Sequence, residues 1–398
     1  MCFATWSNDR YLSPYSDRSL EMLKELGVEY VQIVVTQYQE HYNSTKIIRT
    51  ELTPSDKSVI HAIRKANKLG LKVMLKPHID LINKDGSSYW RADIGFQNEA
   101  DWEKWFKSYK KFITHYANIG EKNLVDVFCV GTELSFTTQK PEYWLDIIAG
   151  VRTKFSGSLT YAANWDNYRN IKFWGNLDFV GIDAYFPLSY NSEPSQEDLS
   201  RGWQKWINEI EGFHAETDKP IVFTEIGYSS SAHAASDPWR NGEGNADVEM
   251  QAKCYNAFFK EVWGKEWLAG VYWWKWAPSI HGGGKYNRRF TPLNKPSAQL
   301  IKKHYTSRRK ISRAALAPAE PELLREDVKK MVPLVPESRE FEAGDMCPSM
   351  RISTLKFEVF SAEKLKVPPM NYGTLLPQLR TQHSPEFKEE WTAAIREH

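Results

Sequence analysis

Two glutamates stand where carboxyl groups can do chemistry. Glu133 lies in Val130-Gly131-Thr132-Glu133-Leu134, just past an apolar run, and Glu225 lies in Phe223-Thr224-Glu225-Ile226-Gly227-Tyr228, just past another. Two carboxyl groups facing one another across a cleft can cleave a glycosidic bond: one protonates the departing oxygen, the other attacks or activates water. A lone glutamate at a strand end is more simply a solvated charge. The pair matters because of the company it keeps. The chain holds 16 Trp, 19 Tyr and 19 Phe, and 15 of the tryptophans precede residue 307. Indole and phenol rings offer flat apolar faces with polar edges, which suit stacking on sugar rings or bases. Lys plus Arg is 52 and Asp plus Glu is 50. So near a balance provides no general attraction for nucleic acid, and sugars become the expected ligand.

The elements that would position these groups alternate between two patterns. Eight short apolar runs read as strands: 1–6, 30–35, 72–77, 125–130, 159–163, 179–184, 220–224 and 270–276. Amphipathic helical stretches separate most of them. Leu20, Leu23 and Leu26 share a helix face and Gly27 fits its C-terminal stop. Thr53-Pro54-Ser55-Asp56 reads as a helix start, with Thr53 as N-cap. Trp102, Trp105, Phe106, Tyr109, Phe112, Ile113 and Tyr116 recur at helical spacing, as do Trp203, Trp206, Ile207, Ile210 and Phe213. Between the fifth and sixth runs only a short helix fits, near Ile171–Asn176. Strands alternating with helices imply a parallel sheet with right-handed crossovers. Eight units in about 300 residues favour a closed (β/α)8 TIM barrel. An open doubly wound sheet would place a glycine-rich phosphate loop after an early strand. Neither GxGxxG nor GxxxxGK[ST] occurs there.

A barrel presents its chemistry at the C-terminal ends of its strands. That filter selects Trp6, Gln37-Tyr38, Lys76 to Asp80, Glu133, Asn164-Trp165, Asp183 and Tyr185, Glu225, and the Trp273 to Trp276 stretch. Lys76, His78 and Asp80 alternate, so they share one side of their strand. They are expected to face the mouth and bind sugar hydroxyls. Asn164 and Trp165 are binding candidates directly past strand five. Asp183 shares a side with Tyr185 and is expected to orient basic groups. Trp6, Trp274 and Trp276 are the candidate sugar platforms, with Trp274 and Trp276 on one side of their strand. The helix tryptophans are expected to pack the barrel shell. HExxH is absent, too few ligands converge for catalytic zinc, and no G-x-S-x-G elbow follows a strand. No metal and no cofactor is expected.

Several segments carry a family resemblance: MCFATW at 1–6, LKPHID at 75–80, VGTEL at 130–134, AANWDNY at 162–168, DFVGIDAYFPL at 178–188, FTEIGY at 223–228 and YWWKW at 272–276. In this order, at successive strand ends, they make residues 1 to about 305 resemble the barrel glycoside hydrolases with an acid/base on strand four and a nucleophile on strand seven. More narrowly, the chain is similar to the family 113 β-mannanases. The resemblance implies Glu133 as acid/base, Glu225 as nucleophile, retention of anomeric configuration, and β-1,4-linked mannan or manno-oligosaccharide as substrate. One position departs from the wider superfamily, where an Asn precedes the acid/base; here it is Thr132. Asn164 is the expected substitute for its contact to the sugar 2-hydroxyl. For these roles Glu133 needs a raised pKa, from partial burial and from the charge of Glu225. Tyr185 is the expected hydrogen-bond donor to Glu225. The rival readings are the same chemistry on a glucan or galactan, and a barrel that binds glycans without cutting them; the second is marked by loss of either Glu, and both are present.

The remainder differs in composition. Residues 307–398 hold nine of the 20 prolines and only two of the 22 glycines. The expected division is a catalytic barrel over 1–306 and a Pro- and charge-rich, poorly structured C-terminal tail over 307–398. Within the tail a strand-like run, Ile352 to Phe360, and a helix-like end, Glu386 to Glu397, stand out. Four scattered cysteines without a CxxC pair argue against a zinc site or disulfide framework. No run of about 18 apolar residues predicts a membrane span. No signal peptide is visible, and the strand-like run begins almost at Met1, an abrupt start that reads as if an upstream segment were missing. The expected assembly is a monomer.

Overall fold

The eight apolar runs form eight parallel strands: β1 (Cys2–Phe3), β2 (Tyr30–Gln39), β3 (Lys72–Leu81), β4 (Val127–Thr132), β5 (Ser158–Asn164), β6 (Val180–Asp183), β7 (Ile221–Ile226) and β8 (Leu268–Trp273). They pair in sequence order, β1 to β8. The ends meet where Phe3 bridges Trp276 in parallel and the Trp276 N–H donates to the Cys2 carbonyl at 2.8 Å. The computed structural model describes residues 1–83, 89–242 and 244–307. The strand-like and helix-like stretches expected in the tail lie outside those residues.

Seven helices separate or follow the strands: α1 (Pro14–Glu25), α2 (Asp56–Lys68), α3 (Glu99–Lys122), α4 (Pro141–Arg152), α5 (Gln196–Thr217), α6 (Val248–Glu261) and α7 (Pro296–Thr306). Their starts follow from local chemistry. Ser13 caps α1 ahead of Pro14, and Asn98 caps α3. Ser195 and Asp198 form a reciprocal capping box on α5. α2 corrects the sequence reading by two residues. Its N-cap is Ser55, whose hydroxyl accepts from the Ser58 N–H, whereas Thr53 binds the Thr50 N–H in the preceding turn. Between β5 and β6 there are only two 3₁₀ turns, Tyr168–Asn170 and Trp174–Asn176. Helix residues with the apolar spacing are buried against the outer faces of the strands. Trp105, Trp144 and Trp203 are fully enclosed there, as shell packing requires.

Strand alternation divides the barrel into two surfaces. On β2 and β3, Val31, Ile33, Val35, Val73 and Leu75 face the helices. The opposite side chains line the barrel. Its lower interior is apolar, with Met74, Val127, Cys129, Ala162, Phe179 and Val222 in one cluster. Above that layer the inward positions of β3 become Lys76, His78 and Asp80, all buried. The shift from apolar to charged along one strand marks where the barrel stops being a core and becomes a site.

Candidate active site

Regular alternation alone would not aim Glu225 inward. Phe223, two residues earlier, faces the shell. On β7 the register changes: Ile182 pairs with Phe223, but the next residue, Asp183, pairs with Glu225. Thr224 is therefore an extra residue, and this bulge puts Thr224 and Glu225 on the inner side together. Thr224 Oγ1 donates to Asp183 Oδ1 at 2.7 Å. Glu225 accepts from Lys76 Nζ through Oε1 at 2.7 Å and from Tyr185 Oη through Oε2 at 2.7 Å. Lys76 also donates to both oxygens of Asp183 at 3.1 Å.

β4 carries a second irregularity directly before Glu133. Cys129 pairs with Thr160 and Thr132 with Ala162, so β4 spends one residue more than β5. Gly131 sits in this step, where a Cβ would lie 2.6 Å from Trp144 and 2.7 Å from Tyr161. Glu133 then adopts a left-handed backbone, φ 51°. Such a conformation costs a non-glycine residue about 1–3 kcal/mol. It is held by the Glu133 N–H to the Ala162 carbonyl at 2.8 Å and by the Leu134 N–H to Tyr161 Oη at 2.8 Å. The Glu133 carboxyl accepts from Arg91 Nη1 at 2.8 Å. Arg91 also donates to the Ile79 carbonyl at 3.1 Å and to Asp80 at 3.4 Å.

The electrostatics of the mouth act strongly on Glu133. Burial, reinforced by the Asp183 and Glu225 charges and opposed by Arg91 and Lys76, pushes the Glu133 carboxyl up to about 8. Burial also pushes Asp183 up to about 7, Glu225 adding to it and Lys76 opposing. Burial works against the charge on Lys76, but Asp183 and Glu225 outweigh it and hold the ammonium above its ordinary value. Burial, then the charges of Arg91 and Lys76, keep His78 neutral, well below the usual imidazole range. Its Nε2 lies 3.9 Å from Glu225 Oε1 and has no hydrogen-bond partner among the described residues. Tyr38 Oη, inward on β2, is likewise buried without a partner there. Burial also raises the Tyr185 phenol, which therefore remains a donor to Glu225. Among the described residues no group of three or more His, Cys, Asp or Glu side chains could hold a metal ion.

The strand-end residues thus divide into those gathered at the mouth and those elsewhere. Lys76, His78, Asp183, Tyr185 and Glu225 form one connected cluster; Asp80, Arg91 and Glu133 form another beside it. Trp274 stacks on His78 with centroids 6.3 Å apart, and Trp6 meets Trp274 edge-on at 6.3 Å. Asn164 lies on the same side of β5 as Ala162, but its amide donates to Asp166 at 2.8 Å. Trp165 is half-buried at the rim, in edge contact with Trp206 and stacked on Trp239 at 5.8 Å. Trp276 corrects the sequence reading. β8 ends at Trp273, so alternation does not carry Trp276 to the side of Trp274. It is 1% exposed and its indole N–H donates to Ser19 of α1 at 2.9 Å, which leaves no face for a sugar. Arg91 was missed altogether. It lies in the loop after β3, beyond the reach of a rule that inspects strand tips.

A parallel eight-stranded barrel that brings two carboxyl groups to the tips of strands four and seven has the architecture of a glycoside hydrolase. Residues 1–294 match Glycoside Hydrolase Family 113, and the chain belongs to that family. A solved family 113 β-1,4-mannanase is 28% identical, with a TM-score of 0.70 over 77% of this chain and 98% of that one. The family 113 β-mannanase AaManA from Alicyclobacillus acidocaldarius, in complex with ManMIm, is 25% identical with a TM-score of 0.70, over 77% of this chain and 96% of that one. An endo-1,4-β-D-mannanase from Thermotoga petrophila, at 14% identity and a TM-score of 0.50 over 76% of this chain and 99% of that one, shares the fold. Among curated proteins none matches. Retention of anomeric configuration is general to the family. No described helix is long and apolar enough to cross a membrane.

Proposed function

We propose that the protein hydrolyses β-1,4-mannosidic linkages, with Glu225 as nucleophile and Glu133 as acid/base. One contrast carries the roles. Glu133 is pushed up to about 8, so it holds a proton to give near neutral pH. Glu225 instead accepts from an ammonium and a phenol, which fix both of its oxygens. Glu225 attacks the anomeric carbon while Glu133 protonates the departing glycosidic oxygen, breaking the bond to the aglycone. Glu133, now ionised, takes a proton from water. The water oxygen attacks the anomeric carbon, the bond to Glu225 breaks, and the sugar leaves with its original configuration. His78 Nε2 and Tyr38 Oη, both buried and unpartnered among the described residues, are suited to hydroxyls of the sugar at the cleaved bond. Lys76, Asp80, Asp183 and Tyr185 position the charged groups. Trp6 and Trp274 are the platforms beside Glu225; Asn164 and Trp165 are the candidates beyond Glu133.

The choice of mannan rests on family membership and on the two β-1,4-mannanase neighbours. The catalytic unit is taken as residues 1–306, working as a monomer. The test is reducing-sugar release from mannan, glucomannan, cellulose and galactan, with Glu225→Gln and Glu133→Gln alongside, and NMR of the first anomer released. Cleavage of mannan with a β-configured first product, lost in both variants, is expected. Equal inactivity of wild type and variants on every polymer, with the protein folded, would replace hydrolysis by glycan binding.

A further inference from the structure

The wall of the cleft on the Glu225 side is made by the segment between β8 and α7, and its charge is one-sided. From Trp274 to Lys295 it contains Lys275, Lys285, Arg288, Arg289 and Lys295 and no Asp or Glu. Its two ends flank the nucleophile. At one end Trp274 stacks on His78, whose Nε2 is 3.9 Å from Glu225. At the other, Phe290 meets the ring of Tyr185 edge-on at 6.3 Å, and Tyr185 donates to Glu225. The segment is fixed rather than loose at its base. Lys295 is 4% exposed, and its Nζ donates to Ser230 Oγ at 2.8 Å, Asn287 Oδ1 at 3.0 Å and the Arg289 carbonyl at 2.7 Å.

Lys275 occupies the point that matters for sugar. Its Nζ lies 4.0 Å from the centroid of Trp6 and 5.6 Å from that of Trp274. It therefore covers a face of Trp6, one of the platforms beside Glu225. Among the described residues neither Lys275, Lys285 nor Arg288 has an ion-pair partner. Burial first, then the positive charge of Arg289, pull the Lys275 ammonium down to about 7, with Glu225 opposing. Burial and the neighbouring cation thus make the ammonium easy to lose near neutral pH, and an anion placed beside it would restore its charge. A neutral sugar that takes that face of Trp6 breaks the cation–π contact and offers the ammonium only neutral hydroxyl acceptors in return. A sugar bearing a carboxylate replaces it with a shorter, charge-assisted hydrogen bond.

We propose that the β8–α7 segment, centred on Lys275 over Trp6, is an anion-binding subsite for a carboxylated sugar unit within the mannan chain. The proposal rests on the reading of the cleft as a glycan site. It calls for recognition of a hexuronate unit adjacent to the one attacked by Glu225. Arg288 and Lys285 farther along the segment extend the favourable field.

Full-length Glu225→Gln protein, which stops turnover, is run by affinity electrophoresis in gels holding either native mannan or C6-carboxylated mannan. The same is done with Lys275→Gln and with Arg288→Gln added. Tighter retention by the carboxylated polymer, by about tenfold, is expected. Lys275→Gln should bring the two polymers to parity, and Arg288→Gln should reduce the preference by a smaller factor. Retention by native mannan without a preference for the carboxylated form overturns this subsite and leaves the mannanase reading intact. A preference that survives Lys275→Gln unchanged assigns it to general attraction of a polyanion, and also overturns the subsite. Retention by neither polymer, with the protein folded, strikes both readings.

Discussion

The tips of β4 and β7 hold the same side chain in opposite ways. At β7, Glu225 is reached by a bulge and held by donors from two other strands: Lys76 within β3 and Tyr185 just past β6. At β4, Glu133 follows a bulge and is itself left-handed, and among the described residues its carboxyl is held by Arg91 from a loop. One glutamate is fixed by the scaffold and the other by the rim. A nucleophile must be aimed at a single atom through the reaction. An acid/base must give up a proton and take it back, which a crowded set of fixed donors would hinder. The difference in surroundings is what supports the proposed roles, since identity of side chain does not distinguish them.

The largest expected effect breaks the comparison at its strong end. Glu225→Gln removes the group that forms the bond to the sugar, and activity on mannan should fall by more than about 10⁴-fold. Glu133→Gln should cost about 10²–10⁴-fold on mannan. The two separate on an aryl β-mannoside with an acidic phenol as leaving group. That phenol needs no proton to depart, so the first step recovers in Glu133→Gln and a burst of phenol appears, while Glu225→Gln shows none. A burst from Glu225→Gln instead would reverse the roles.

Next in size is Lys76. It is 0% exposed and joins Asp183 to Glu225. Lys76→Met leaves two buried carboxyl groups without their shared cation. Breaking a buried ion pair on one side costs about 3–5 kcal/mol. Thermal unfolding should show a loss on that scale, larger at pH 8 than at pH 5, because protonating Asp183 relieves the repulsion. A Tm equal to wild type at pH 8 would mean that Lys76 is not what holds this end together.

Much of this site was open to reading in the chain itself. The inward phase of Lys76, His78 and Asp80 follows from alternation on a regular strand, and so does their rise out of the apolar layer at Met74. The eight repeats follow from apolar spacing, and the start of α2 follows from Thr53-Pro54-Ser55-Asp56 to within two residues of its cap at Ser55. What escaped depends on departures from regularity. The two bulges that aim Glu133 and Glu225 come from pairing between strands, and no pattern within β4 or β7 alone announces them. Trp276 was assigned to the mouth because alternation was extended past the true end of β8 at Trp273. Arg91 is joined to Asp80 and Glu133 only by the path of the loop after β3, and arginine beside Trp90 has no signature of its own.

Arg91 is the handle on the weaker end of the comparison. Its charge opposes the rise of Glu133, so Arg91→Met should push the Glu133 carboxyl higher still. Activity needs the protonated acid, and kcat/KM falls as pH rises through its pKa. The basic limb, expected near 8, should therefore move to higher pH in Arg91→Met, by about one unit. Initial rates between pH 5 and 10 read it. A limb that stays put or moves down shows that Arg91 does not act on the acid.

The last effect concerns stability, and its sign follows from the same group. The fold raises Glu133 from an ordinary 4.5 to about 8, so folding favours the protonated form. That contribution is complete below about pH 4.5 and is lost as pH rises through 8. Glutamine cannot ionise and can still accept from Arg91 through its amide oxygen. Glu133→Gln should then match wild type in Tm near pH 4 and exceed it at pH 8 and above, by about 2–4 °C for each ~1 kcal/mol released. Glu225→Gln should do the reverse at pH 8, because the carboxylate that accepts from Lys76 and Tyr185 is lost. Opposite signs from two identical substitutions at one mouth express how differently β4 and β7 hold their glutamates. Equal signs would mean that the two ends are alike, and that the roles rest on sequence kinship alone.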